Sequence, residues 1–217
     1  MKENEHSANR KRRAAIINKI LKERYPDAGC TVDYTNALEL LIATILSAQC
    51  TDERVNILTR DLFKKYKNAE DYMKVEISEL EKDIRPTGFY RNKALRIKKA
   101  CQKIVEDFDG EVPSTMEELI TLPGVARKTA NVVLGNVFHK AEGIVVDTHV
   151  WRVSNRLGLS DKNNADKIEK ELCELIPGDE WISFGHRMII HGRYVCKAKN
   201  PLCNECALKD LCPSREV

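Results

Sequence analysis

The pattern of apolar and polar residues is helical along most of the chain. Apolar residues recur three or four positions apart, and strand-like stretches are rare. Residues 36–48 (NALELLIATILSA) are apolar on nearly every side, which predicts a buried helix. Further helices, joined by short connections, are predicted over residues 10–24, 52–66, 91–107, 126–138, 164–175 and 180–192. We therefore expect an all-α fold.

Polar residues mark several of the expected helix starts. Thr51 can act as the N-cap of the helix that follows it, and Asp147 can cap a helix running to about residue 157. Ser114 and Glu117 have the spacing of a capping box, in which each side chain bonds the backbone N–H of the other. This box predicts a short helix just before a Pro-Gly turn.

Charge is segregated along the chain, although the net charge is only +3. Residues 2–24 hold eight basic and three acidic residues, and residues 85–103 hold seven basic residues and no acid. Such patches suit a polyanion, but solvated helix faces explain them equally well. No apolar run is long enough to span a membrane, and the polar N-terminus does not resemble a secretory signal. We expect a cytoplasmic protein without a membrane partner.

Four of the eight cysteines crowd into the last 22 residues with the spacing C-x6-C-x2-C-x5-C. They are Cys196, Cys203, Cys206 and Cys212. Thiolate sulfur is a soft ligand for zinc, copper(I) or iron–sulfur clusters. Structural zinc sites usually have two close cysteine pairs, whereas a cubane cluster accepts wider and uneven spacing. The spacing favours a four-iron cluster and leaves zinc open.

The segment LPGVARKTA (residues 122–130) joins two predicted helices through a Pro-Gly turn. The second helix begins just after the turn, so its first backbone N–H groups form an anion site suited to a DNA phosphate. This is the helix-hairpin-helix pattern. Taken alone, Lys128 in this segment reads as a surface lysine that binds phosphate.

With the hairpin, four other segments resemble the endonuclease III family of helix-hairpin-helix DNA glycosylases. They are LLIATILSAQCTD (40–52), TGFYRNKA (87–94), VVDTHVWRVSNRLGL (145–159) and HGRYVC (191–196). The resemblance implies a six-helix barrel domain over residues 31–140, with the helix-hairpin-helix at about 115–137. It also implies an iron–sulfur domain built from residues 1–30 and 141–217, and a DNA-binding cleft between the two domains.

The same resemblance implies a mechanism. Lys128 matches the family's catalytic lysine, which displaces a damaged pyrimidine from a flipped nucleotide and leaves a Schiff base. That imine then permits β-elimination 3′ to the abasic site. Asp147 matches the aspartate that assists the lysine or stabilises charge on the sugar, although a simple N-cap would also explain it. The four cysteines match the ligands of a [4Fe–4S] cluster.

Five further residues carry expected DNA contacts. Gln49 resembles the residue inserted into the gap left by the flipped base, and Phe89 stands where many relatives have a leucine wedge. Gly124 forms the hairpin turn, and Ala126 replaces a second glycine of many relatives. Arg193 is a candidate phosphate contact. The expected partner is double-stranded DNA with a damaged pyrimidine or abasic site, bound by a monomer.

Two rival functions remain open from the sequence. A monofunctional glycosylase for a mismatched base would share most of these motifs, but such relatives lack lysine at position 128. A DNA-binding module or redox sensor with a structural metal would not need Lys128 and Asp147 together. Both rivals are distinguishable from a lysine-based enzyme by whether a covalent intermediate forms.

Overall fold

The structure, a computed structural model, describes the backbone of residues 2–215 and the side chains of residues 9–215. The all-α prediction is confirmed over this range, which contains helices and no strand. The predicted domain boundaries also include Met1 and residues 216–217, which lie outside the described residues. The helices are α1 (Lys2–Arg24), α2 (Ala37–Leu46), α3 (Asp52–Lys65), α4 (Ala69–Lys74), α5 (Ile77–Ile84), α6 (Tyr90–Asp107), α7 (Met116–Leu119), α8 (Arg127–Asn136), α9 (Thr148–Arg156), α10 (Ala165–Leu175) and α11 (Trp181–Tyr194).

The chain divides into two compact units. One unit is continuous, Cys30–Lys140, and holds α2 to α8. Its core is built around α6, which packs against α4 and α5, while α2 packs against α8. Helix α2 is buried on most of its surface, as its apolar sequence predicts, and Asn36 caps it by accepting the Glu39 N–H.

The other unit combines both ends of the chain, Met1–Gly29 and Ala141–Val217. Helix α1 buries Ala14, Ile17 and Leu21 on the face that packs against α10 and α11. Helices α9 and α11 approach closely at Gly192, where a Cβ would lie 2.9 Å from the Cβ of His149. The absence of a side chain at Gly192 therefore permits the close spacing of α9 and α11.

Three local predictions need correction. The capping box is displaced by one residue, because Thr115 rather than Ser114 is the N-cap of α7, and its hydroxyl bonds both the N–H and the carboxylate of Glu118. Helix α1 begins at Lys2 instead of residue 10. Helices α4 and α5 were not predicted, because six and eight residues are too few to show a helical period clearly.

In the part of the chain that the structure describes, no helix combines the length and the hydropathy that a membrane crossing requires.

Candidate functional site

The hairpin, residues 122–126, is shaped by its own sequence. Gly124 has φ +87°, a conformation that favours glycine, and a Cβ there would lie 2.9 Å from the Cβ and Cδ of Arg96. Leu122 and Val125 are buried, and the Val125 N–H donates to the Leu122 carbonyl at 3.0 Å. Ala126 has φ −94° and ψ 168°, so this position does not need glycine.

Helix α8 begins without a side-chain cap. Ala126 is its N-cap residue and supplies no side-chain acceptor to the N–H groups of the first turn. Those groups point outward from the start of a ten-residue helix, where the helix dipole also favours negative charge. The N–H groups of Lys128 and Thr129 in this first turn can therefore donate hydrogen bonds to a phosphate oxygen.

Lys128 lies in the first turn of α8 and is exposed. Its neighbour Ala130, two positions later, is buried and fixes the helix against the core of its unit. Among the described residues, no hydrogen bond or ion pair engages the Lys128 ammonium. The helix therefore fixes the backbone of Lys128, and the exposed ammonium can contact a molecule from solution.

Asp147 is the N-cap of α9, in the unit that does not contain Lys128. Its Oδ1 accepts the N–H groups of His149 and Val150, both at 2.8 Å. The predicted capping role is therefore present in the structure. Since one oxygen makes both bonds, the half-buried carboxylate retains a second oxygen for other chemistry.

Gln49 and Phe89 share an unusual backbone conformation. Their φ angles are +54° and +47°, and neither residue is glycine. Both side chains are exposed, and Phe89 is 65% exposed, which is high for a large aromatic residue. Non-glycine residues in this region store strain that the surrounding structure must hold, and such positions cluster at functional sites.

Lys93, which belongs to the basic run over residues 85–103 and to the TGFYRNKA segment, is a buried lysine. It is 3% exposed, and its ammonium donates to the carbonyls of Leu46 at 2.7 Å and Thr87 at 2.8 Å. Burial lowers the pKa of Lys93. Helical spacing could have revealed it, because Lys93 shares a face with buried Ile97 and Ala100 of α6.

The four C-terminal cysteines border one small cavity, together with His191 and Arg156. All four are free thiols. Burial raises the pKa of Cys206, and the charges of the other three cysteines raise it further. Holding all four side chains as thiolates would therefore require a positively charged partner. Among the described residues, no group of three or more His, Cys, Asp or Glu is arranged to hold a single metal ion.

Three arginines hold the cysteine loop, residues 196–212, by its backbone. Arg156 donates to the carbonyls of Lys197 at 2.7 Å and Ala198 at 3.2 Å, and its Nη1 lies 3.5 Å from the Cys196 Sγ. The loop is also held by Arg152, which donates to the Cys196 carbonyl, and by Arg13, which donates to the Leu211 carbonyl. The i,i+4 spacing of Arg152 and Arg156 is visible in the sequence and places both arginines on one face of α9. Nothing in the sequence indicates the contact that Arg13 makes.

Two more candidate residues lie in α11, the helix that leads into the cysteine loop. Buried His191 has its Nε2 3.6 Å from the Cys206 Sγ and its Nδ1 3.0 Å from the Tyr25 hydroxyl. Burial lowers the pKa of His191 to about 4, so the ring is neutral near pH 7. Arg193 is half-buried in the last turn of α11, three residues before Cys196.

Comparisons with known proteins agree with one another. A family model described as "HhH-GPD superfamily base excision DNA repair protein" matches residues 42–178. Endonuclease III of Synechocystis sp. is 54% identical over 97% of this chain and 96% of the relative. Endonuclease III of Bacillus subtilis is 49% identical over 88% of this chain and 87% of the relative. A solved endonuclease III, trapped as a covalent intermediate with DNA, is 47% identical with a TM-score of 0.90, over 94% of this chain and 96% of that chain.

Proposed function

This chain belongs to the endonuclease III family of the HhH-GPD superfamily of base excision DNA repair proteins, and from that premise we propose how its residues act. It is a DNA glycosylase and AP lyase, and the proposed substrate is duplex DNA containing an oxidised pyrimidine or an abasic site. The observation that supports a lysine mechanism is Lys128 itself, an exposed and unengaged amine in the first turn after the hairpin.

The proposed nucleophile is the Lys128 amine. Its nitrogen bonds to C1′ of the extruded nucleotide, and the glycosidic C–N bond breaks with the electron pair leaving on the damaged base. Sugar ring opening gives an imine, which makes the C2′ proton acidic. Loss of that proton expels the 3′ phosphate by β-elimination, so one amine accounts for both activities. A lysine is mostly protonated near neutral pH, so a base must accept its proton.

We propose Asp147 as the carboxylate that assists this step. The oxygen that caps α9 fixes the orientation of the carboxylate, and the second oxygen is left to accept a proton or to face positive charge developing on the sugar. Capping and catalysis are thus two uses of one side chain. The N-cap bonds serve here as positioning bonds.

Apart from Arg193, the proposed DNA contacts are exposed side chains and backbone N–H donors of the Cys30–Lys140 unit, which we take as the barrel domain. Gln49 and Phe89 are proposed to fill the space that the flipped nucleotide leaves, because both are exposed on strained turns. The turn at Gly124 and the N–H groups after Ala126 are proposed to bind a phosphate. Arg193 is proposed as a further phosphate contact. One lesion has no two-fold symmetry, and we propose a monomer as the active form.

The second unit is proposed to hold a [4Fe–4S] cluster on Cys196, Cys203, Cys206 and Cys212. The residues fit this group, because four soft thiols border one cavity and a cluster is larger than a single ion. When bound, the cluster supplies positive charge and a rigid cross-link for the loop. Lys197, Lys199 and Lys209 lie between the ligands, so an ordered loop presents cations suited to phosphates.

The test of the lysine mechanism is covalent trapping. A duplex with one thymine glycol is incubated with protein and borohydride, which reduces an imine to a stable amine. The wild type should give a covalent band, and Lys128→Ala should give none. Lys128→Arg is the matched control, because it keeps a cation for phosphate binding but offers no amine that can form the imine. It should bind the duplex and form no band.

Other outcomes separate the rival functions. Base release without a covalent band in the wild type would favour a monofunctional glycosylase. Neither product, from protein that retains its metal, would favour a DNA-binding module. A band that persists in Lys128→Arg would show that another amine reacts.

Asp147→Asn separates the proposed catalytic role of the carboxylate from its role as the N-cap of α9. Asparagine caps helices about as well as aspartate, so the thermal stability should change little. The single-turnover rate of base release should fall by roughly 10²- to 10⁴-fold, the range for a lost general base. A stable variant with wild-type rate would reduce Asp147 to its capping role.

A further inference from the structure

The two strained turns that carry Gln49 and Phe89 share one anchor. Leu46 is the last residue of α2, three positions before Gln49, and Thr87 stands two positions before Phe89. The Lys93 ammonium donates to the carbonyls of both Leu46 and Thr87. A single charged atom thus fixes the backbone just before each turn.

Neither turn is held in its strained form by its own residues alone. A backbone bond from the Cys50 N–H to the Ser47 carbonyl closes the Gln49 turn, and a longer one, 3.3 Å, joins the Gly88 N–H to the Arg85 carbonyl. These bonds close each turn locally but do not relate one turn to the other. The lysine does, because both of its acceptors lie within hydrogen-bond distance of the same nitrogen.

The chemistry of the anchor explains why a lysine is present in a buried position. The Leu46 carbonyl lies at the C-terminus of α2, where carbonyls lack helical donors and the helix dipole favours a cation. The Thr87 side chain is itself buried, and its hydroxyl donates to the Ile84 carbonyl at 2.8 Å. A buried charge is unfavourable unless it is well bonded, so an apolar residue would suit this position if only packing mattered.

We propose that Lys93 is a positioning residue for base extrusion: by holding the carbonyls of Leu46 and Thr87, it sets the separation of Gln49 and Phe89 so that the two side chains enter the base stack together. The inference rests on the proposed function of those two residues. Lys93 acts through them and does not touch DNA, because it is 3% exposed.

The same helix supplies a matched control. Lys98, five residues after Lys93 on α6, also donates its ammonium to two backbone carbonyls, those of Met73 and Val75. Those acceptors lie at the end of α4, and neither belongs to the turn at Gln49 or the turn at Phe89. Lys93→Met and Lys98→Met therefore remove the same kind of interaction from the same helix, and only the first disconnects Gln49 from Phe89.

The experiment measures extrusion and chemistry separately in the metal-loaded protein. Extrusion is followed by the fluorescence of 2-aminopurine opposite a tetrahydrofuran abasic analogue in a duplex. Chemistry is followed by single-turnover cleavage of a thymine glycol duplex, and by cleavage of an abasic site in single-stranded DNA. The single strand has no base stack to refill, so its cleavage does not need the two inserted side chains.

Lys93→Met should reduce the extrusion signal and lower the thymine glycol rate by about tenfold or more, the size of a coupling between contacting groups. Its cleavage of the single-stranded abasic site should stay within about twofold, and Lys98→Met should stay within about twofold in all three assays. Adding Lys93→Met to a Gln49→Ala, Phe89→Ala protein should cause little further loss, because residues that act as a unit are not additive.

Four outcomes would each overturn the inference. Two concern Lys93→Met: an equal loss of rate in the duplex and single-strand assays, or an extrusion signal like that of the wild type. The other two are the same loss of rate in Lys98→Met, and an additive loss of rate in the combined variant. If Lys93→Met does not fold, Lys93→Gln, which keeps a donor but is too short to hold both carbonyls, replaces it with the same expectations. Failure of the proposed function has a different signature. The wild type would then give no covalent trap, or Gln49→Ala and Phe89→Ala would leave extrusion unchanged.

Discussion

The hairpin and the cysteine loop are both irregular segments proposed to meet DNA, yet they are held in opposite ways. In the hairpin, buried Leu122 and Val125 and the turn at Gly124 lie within four residues of one another. In residues 196–212, all of which the structure describes, Leu208 alone among the apolar side chains is buried. The loop is held by arginines far away in sequence and, in our proposal, by a cluster.

This difference predicts how the conformation of each segment responds to a substitution. The hairpin's conformation follows from local backbone preferences, so a single substitution alters it by the free energy of one strained dihedral or one contact. The cysteine loop has little core of its own, and its order depends on a few polar groups and ligands. Removing one of those groups should therefore have a larger effect on the loop than any single substitution has on the hairpin.

The largest effect is expected from Cys203→Ser. Structural metal sites supply on the order of 10 kcal/mol to small domains, and hydroxyl oxygen is a poor substitute for a soft thiolate. The variant should lose iron and sulfide, and trypsin should cut it rapidly after Lys197, Lys199 and Lys209 while the Cys30–Lys140 unit stays intact. Cys173→Ser, in the same unit but outside the loop, should retain the metal. A Cys203→Ser loop that keeps iron and resists trypsin would contradict the proposed ligand set.

A smaller effect is expected from Arg156→Met, which leaves every cysteine in place. It removes the donors to the Lys197 and Ala198 carbonyls and the contact with the Cys196 Sγ. Hydrogen bonds from a charged group contribute about 1.5–3 kcal/mol each, and exposure to solvent weakens both of these bonds. Local opening of the loop should therefore become easier by about 2–4 kcal/mol in total. This easier opening would be measured as faster amide hydrogen exchange at residues 196–199 in the variant than in the wild type. Unchanged exchange there would show that the thiols alone order the loop.

The same contrast explains what could be predicted from the sequence. The longer helices, the hairpin and the Asp147 cap follow from local patterns, and the structure has all three. The capping box was displaced by one residue because Ser114 and Thr115 are adjacent and each has a glutamate three positions later. The pattern fits both pairs, and the tertiary structure selects one.

Residues that act over long distances were not predictable in this way. Arg13 reaches a carbonyl 198 residues later in the chain, and no spacing rule relates the two positions. The sequence places Lys93 in a basic helix, and this basic pattern obscures its position on the buried, apolar face of α6. Helical spacing could have indicated that Lys93 is buried, but it could not indicate which carbonyls Lys93 or Arg13 binds, because every residue has a backbone carbonyl.

Within the hairpin, Gly124→Ala should have the larger of two effects. Alanine is strained at φ +87°, and its Cβ would meet the Arg96 side chain at 2.9 Å. We expect a loss of about 1–2 kcal/mol in the free energy of unfolding, measured with urea, and weaker binding of an abasic-analogue duplex. Wild-type stability and affinity would show that the turn can relax, and the hairpin would then be less locally determined than we infer.

The smallest effect is expected from Ala126→Gly, which restores the glycine of many relatives. Ala126 has φ −94° and ψ 168°, an extended conformation that alanine adopts without strain, and its side chain is exposed. Glycine gains no new conformation that the hairpin uses and makes the unfolded chain more flexible, so stability should fall by less than about 1 kcal/mol. Duplex affinity and single-turnover rate should stay near wild type, because the N–H donors of α8 are unchanged. A clear gain in affinity would mean that DNA requires a conformation at position 126 that this structure does not have, and the hairpin would then resemble the cysteine loop in depending on its ligand for its final shape.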